Sequence, residues 1–226
     1  MFQRDYVLRL IEQLAKSLGA FVRLKKAKRF DEAQTALAEA AKNVVGIDVD
    51  TLLALSLDHV LALFSPGGSL DAGKCLVVAE LLYEDGALSE LRGDAPRACS
   101  TRLHAAGLLL EVFTREGSER VPNAERYLRI LDELDAGLSL YEPSVDLTRR
   151  RAHFHARLGR FDRAEDILFA LIEAGNDDIL PEAIELYERW LAEPEDALER
   201  GGLPRAEVEE GLAQLRARAA VVESNH

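Results

Sequence analysis

The sequence predicts an all-α protein, built from stacked antiparallel helical hairpins with about ten helices. Three observations carry that expectation. Leu and Ala dominate and aromatics are 6% of the chain, a composition that favours helix. No run alternates apolar and polar residues with the Val, Ile, Thr and aromatic enrichment of a strand. And two segments say nearly the same thing: LKKAKRFDEAQTALAEAA at 24–41 and ARLGRFDRAEDILFALIE at 156–173. Aligned on Phe30 and Phe161, each has an Asp next, an Ala three residues on and a Leu four beyond that. Such a phrase reads as a tight turn and the second helix of a hairpin, where a small residue lets two helices approach.

The elements follow in order. A first helix is expected from about Phe2 to Lys28, with Val7, Ile11, Leu14, Leu18, Phe21 and Val22 on one face. The turn Arg29-Phe30-Asp31 leads into a second, capped near Asp31 and ended at Gly46, with Ala33, Leu37, Ala40 and Val44 inward. Asp48 and Asp50 precede a third, TLLALSLDHVLALF, which is apolar on almost every side and so should be surrounded by other helices. Ser65-Pro66-Gly67-Gly68 breaks the chain before a fourth at about 70–91. A fifth runs from Pro96 to Arg115, a sixth from Pro122 to Leu138, and Pro143 opens a seventh to Leu158. The eighth spans Asp162 to Ala174, the ninth starts at Pro181 and breaks near Pro194, and a last helix occupies 204–221. With no long polar linker, one domain over 1–226 is expected. Its parts are an N-terminal hairpin (1–46), apolar central helices (49–115), repeat-like hairpins (122–175) and C-terminal helices (178–222).

Charge narrows the function. A net charge of −12 speaks against general nucleic-acid binding, which depends on neutralising phosphates. The charge is uneven: residues 1–45 hold nine Lys or Arg against five Asp or Glu. Arg23, Lys25, Lys26, Lys28 and Arg29 cluster at the end of the first helix, where cations oppose the macrodipole or form a docking patch for an acidic partner. Two cysteines, Cys75 and Cys99, imply no disulfide framework and fit a reducing compartment. Arg9 and Glu12 interrupt what would be the apolar region of a signal peptide, and no apolar stretch is long enough to span a membrane. A cytoplasmic protein is expected.

The phrase LGRFDRAEDILFALIEAG resembles the second half of a tetratricopeptide repeat. Gly159, Phe161, Ala164, Leu168 and Leu171 stand where that family places its turn glycine, aromatic, small crossing residue and later apolar residues. In the earlier copy Lys28 replaces the glycine, while Phe30, Ala33, Leu37 and Ala40 fit; a third copy has Ala124, Leu128 and Leu131. The first-helix half departs from the pattern, with Arg151 and His155 where the family has Leu and Tyr. The resemblance implies a tetratricopeptide-like α-solenoid whose first helices line a concave binding surface. The opening Met1-Phe2-Gln3-Arg4-Asp5-Tyr6 and the helix after it look like the start of uncharacterised bacterial helical proteins, which implies a dedicated family and no particular activity.

Catalytic signatures are not expected. Gly68-Ser-Leu-Asp-Ala-Gly73-Lys74-Cys75 is one residue from a phosphate-cradling loop, but Cys75 replaces the magnesium-holding hydroxyl and a helix precedes it. It reads as a turn with Ser69 or Asp71 capping the next helix. His153 and His155, two apart on a helix, point in different directions and do not share a metal. The acidic groups Asp132–Glu133, Asp177–Asp178 and 193–196 read as solvated faces and helix starts. Arg149, His153 and Arg157, at i, i+4 and i+8, form a basic stripe away from Leu147, Phe154 and Leu158. The stripe suits the carboxylates of an acidic peptide, or else pairs with acids of neighbouring helices such as Glu142, Asp146 or Asp162. The expected function is therefore a non-enzymatic protein-interaction module or scaffold, without cofactor or metal. Its expected partner-binding residues are Arg149, His153, Arg157, Arg23, Lys25 and Lys26. The alternative is a helical ligand-binding protein or enzyme with a pocket between the central helices, using Asp58, His59 and His104. A homodimer through the first helix is also expected, with Phe2, Tyr6 and Phe21 supplying contact area.

Overall fold

A computed structural model describes residues 2–138 and 141–224, with side chains from residue 5 onward. Among them every regular element is helical and there is no strand: twelve α-helices and two 3-10 turns, Pro66–Gly68 and Asp177–Ile179. The chain forms two compact units, residues 1–143 and 144–226. No helix among the described residues is long and apolar enough to cross a membrane.

The N-terminal unit contains α1 (Phe2–Lys26), α2 (Phe30–Val44), α3 (Val49–Leu53), α4 (Leu57–Leu63), α5 (Ala72–Arg92), α6 (Ala95–Glu116) and α7 (Ala124–Leu138). α5 and α6 are its central pair; α1 packs on α2 and α5, and α7 on α6. The pair approaches closely because Gly86 has no side chain: a Cβ there would lie 2.8 Å from Thr101 Oγ1. α5 is also a polar hub. Buried Glu80 accepts from Arg126 and, at 3.2 Å, from the Tyr127 hydroxyl on α7. Glu84 pairs with Lys25 of α1, and Asp85 accepts from Gln34 of α2 and Arg97 of α6. Each of these buried or half-buried acids finds its partner on a different helix, so α5 fixes the register of its neighbours. Burial pushes the Glu80 carboxyl up, opposed by Arg126 and the Tyr127 hydrogen bond.

The expected third helix is two. α3 and α4 separate at Leu55-Ser56, because Ser56 caps α4, accepting from His59 N at 3.3 Å, as Asp48 caps α3 through Thr51 N at 2.8 Å. Nor is the segment surrounded. Leu52, Val60, Leu61 and Phe64 are buried, but Leu63 is 50% exposed. It forms a strap along one side of α6, where Leu57 occupies the space a side chain on Gly107 would take. His104 holds the strap, its Nδ1 and Nε2 each 2.9 Å from a carbonyl oxygen, of Ser100 and Leu55. Exposed His59 binds Ser56 Oγ at 2.8 Å. The apolar run was too rich for its real surroundings, and the capping serine was the better signal.

The C-terminal unit contains α8 (Val145–Arg157), α9 (Phe161–Glu173), α10 (Leu180–Leu191), α11 (Glu195–Arg200) and α12 (Arg205–Ser224). α8 pairs with α9 and α10 with α12. Its core gathers Ala164, Leu168, Leu186, Leu198, Val208 and Leu212 around an aromatic cluster. The Tyr187 and Trp190 rings lie 4.6 Å apart, and Phe161 is 5.5 Å from Trp190.

The two segments that match in sequence match in geometry. Lys28 and Gly159 both take positive φ, +57° and +69°. Lys28 N donates to Lys25 O at 3.1 Å and Arg29 N to Leu24 O at 3.0 Å. Gly159 N donates to Ala156 O at 3.1 Å and Arg160 N to His155 O at 3.0 Å. Both helices therefore end in the same left-handed turn, and both turns feed a helix whose Ala33 or Ala164 is fully buried. No side chain caps α2, so Asp31 is a first-turn acid rather than its cap, and it reaches Arg92 at 3.0 Å. Ala124 of the third copy is half-buried and simply begins α7.

Candidate partner-binding groove

α9 sends Phe161, Ala164, Leu168, Leu171 and Ile172 into the core. That leaves Glu165, Asp166 and Phe169 on its flank. α12 lies beside this flank and contributes Glu207, Glu210, Gly211 and Gln214, and the two helices enclose a groove of about 290 Å³. Gly211 sets how closely α12 approaches: a Cβ there would sit 2.6 Å from Tyr187 Cε1. Tyr187 is fully buried and donates its hydroxyl to Glu165 Oε1 at 2.5 Å, while Phe169 meets the Tyr187 ring edge-on at 6.4 Å. One wall is therefore aromatic and the rim is carboxylate.

The acids crowd one another. Burial raises the Glu165 carboxyl; the Tyr187 hydrogen bond opposes this, and Asp166, Glu207 and Asp162 add to the rise. Burial, the Glu165 hydrogen bond and the Glu165 and Asp166 charges all raise the Tyr187 phenol. Among the described residues no Lys or Arg pairs with Asp166, Glu207 or Glu210. Such a groove is suited to a cationic side chain, with its alkyl stem along Phe169 and its head among the carboxylates.

The residues singled out in the sequence lie elsewhere. Arg149 Nη2 meets Asp178 at 3.0 Å and its Nε stands 3.8 Å from Glu182, which also pairs with His153. Arg149 and His153 are thus held by acids of the 3-10 turn and the start of α10, while Asp146, considered from sequence, pairs with Arg150 at 2.8 Å. Arg157 is exposed. His155 is buried with its ring 5.4 Å from Phe154, so it and His153 do not converge. Arg23 and Lys26 are exposed at the end of α1, while Lys25 pairs with Glu84 and lies 4.9 Å over the Phe21 ring. Phe21 is fully buried and offers nothing to a partner; Tyr6 is 41% exposed and donates to Asp71 at 3.4 Å, and Phe2 lies outside the described side chains.

The glycine-rich turn before α5 behaves as a cap: Asp71 Oδ1 accepts from Lys74 N at 3.0 Å. Cys75 is buried and its thiol is pushed up to about 12, by burial first and nearby Asp71 and Glu111 second. Among the described residues no group of three His, Cys, Asp or Glu is placed to hold a metal ion.

The groove acids were not singled out in sequence, because each reads alone as a solvated face. The available signal was Gly211, a glycine inside an otherwise helical run, which marks a close approach. No curated protein matches the chain, and no solved structure matches it. A family model described as a family of unknown function, DUF6483, matches residues 1–220, and the chain belongs to that family.

Proposed function

We propose that the chain is a non-enzymatic protein-interaction module, and that its C-terminal unit receives a basic segment of a partner in the α9–α12 groove. The observation that carries this is the set of rim carboxylates Asp166, Glu207 and Glu210, which pair with no Lys or Arg among the described residues and lie beside an aromatic wall. Uncompensated like charges at one place are destabilising on their own and become favourable when a cation arrives. The paired hairpin turns at Lys28 and Gly159 support a tetratricopeptide-like stacking of hairpins as the scaffold. The test is fluorescence anisotropy of a labelled hexalysine peptide against the full chain. Saturable binding that weakens with salt is expected, and Glu207→Lys with Glu210→Lys should weaken it by about tenfold or more. Equal binding by the double variant with an intact fold would remove the groove from this role.

An acidic peptide on the Arg149, His153, Arg157 stripe is the second reading. It is favoured by an Arg149 Nε that is buried without a hydrogen-bond partner. A hexaglutamate peptide in the same assay distinguishes the two, since it binds only if Asp178 and Glu182 are displaced. We also propose a homodimer in which the exposed Arg23 and Lys26 of one copy meet the acidic groove of another. Light scattering at twice the 25.0 kDa chain mass is expected, and the monomer mass at micromolar concentration would contradict it.

A further inference from the structure

The N-terminal unit carries a second cleft, independent of the groove, with a volume of about 550 Å³. One face of α2, the start of α3 and the turn between α5 and α6 form its walls. Asp85 lies beneath it, fully buried. Gln34 Nε2 donates to Asp85 Oδ1 and Arg97 Nε to Asp85 Oδ2, each at 2.7 Å. A buried carboxylate is costly unless it is met in this way, so Asp85 orients the Arg97 guanidinium from the inside.

The outer edge of Arg97 faces the cleft, where Nη1 donates to Asp50 at 2.6 Å. The Asp50 side chain is 78% exposed. Arg92 repeats the pattern: its partner Asp31, at 3.0 Å, is 92% exposed. Lys42 lines the same cleft from α2. Asp48, the remaining acid, already accepts from Thr51 N at 2.8 Å. In both ion pairs the guanidinium is the less exposed partner, while Lys42 is exposed. Asp31 and Asp50 are held through ion pairs in which they are largely solvent-exposed, and such pairs contribute little and exchange readily.

We propose that this cleft binds a small polyanion carrying two or more carboxylate or phosphate groups. Arg97 is the fixed anchor, because a planar guanidinium held at Nε presents its other edge as a fork for an oxyanion. Arg92 and Lys42 supply the outer contacts, and Asp31 and Asp50 leave their cations when the ligand arrives. Polar walls suit such a ligand better than an apolar one, and the volume lies in the range of small-molecule sites, about 300–1,000 Å³.

The experiment is calorimetric titration of the full chain with citrate and, separately, pyrophosphate, against chloride at matched ionic strength. Saturable binding of at least one probe is expected, with a Kd of about 0.01–1 mM. Citrate alone identifies a polycarboxylate site, pyrophosphate alone a phosphate site. Arg92→Ala with Lys42→Ala touches no buried ion pair and should weaken binding by about tenfold or more. Arg97→Lys keeps the charge that Asp85 needs but loses the fork, and should weaken binding to a similar degree with the helical circular dichroism unchanged. No saturable binding of either probe, or equal affinity in the Arg92, Lys42 double variant, would overturn the assignment.

Discussion

Glu165 sits where burial and three neighbouring carboxylates all disfavour its ionised form, with only the Tyr187 hydroxyl in opposition. Its folded carboxyl therefore binds a proton more tightly than in the unfolded chain. Linkage then gives the sign: the stability it contributes is full below the ordinary carboxylate range and is lost as pH rises through the raised folded value. At neutral pH the ionised side chain is a burden. Glu165→Gln keeps an oxygen for the Tyr187 hydroxyl and removes the charge. Urea denaturation should find the variant more stable than the parent near neutrality, with the difference closing as pH falls to around 4. A variant less stable at both pH values would mean that the carboxylate is favourably held. The same crowding is what a bound cation would relieve, so this side chain links stability to recognition.

At the scale of elements, the two hairpin turns make an internal comparison. Gly159 and Lys28 occupy the same left-handed position at +69° and +57°, where a Cβ is strained and glycine is not. Lys28→Gly should stabilise by about 0.5–1 kcal/mol, and Gly159→Ala should destabilise by about 1 kcal/mol, measured by thermal denaturation. Destabilisation by Lys28→Gly, or stabilisation by Gly159→Ala, would show that the two turns are not equivalent. These turns were legible because they are local: the aromatic, the Asp and the buried Ala lie within a few residues of the turn. The division of 51–64 into α3 and α4 was less legible. An apolar run states that a helix is covered, not by what, and here α6 covers one side only. Ser56 held the missing information, as a capping residue inside the run. The groove was not legible at all, because Asp166 and Glu207 are distant in sequence and each looks solvated until α9 and α12 face one another across the groove. The basic stripe was visible, but its partners Asp178 and Glu182 belong to a turn and a helix start that periodicity cannot pair with it.

For the whole molecule, the chain divides into two compact units between Pro143 and Ser144. No run of Gly, Ser or charge marks that boundary; a serine that caps α8 does, through Leu147 N at 3.2 Å. Each unit carries its own concavity, an acidic groove in one and a cleft lined by two guanidinium groups in the other. The central claim is that the acidic groove is a recognition site for a basic segment. Hydrogen–deuterium exchange of the full chain, with and without saturating hexalysine, tests it most directly. Slower exchange confined to residues 165–169 and 207–214 is the predicted result. Slowing confined to other helices, or none despite bound peptide, would contradict it.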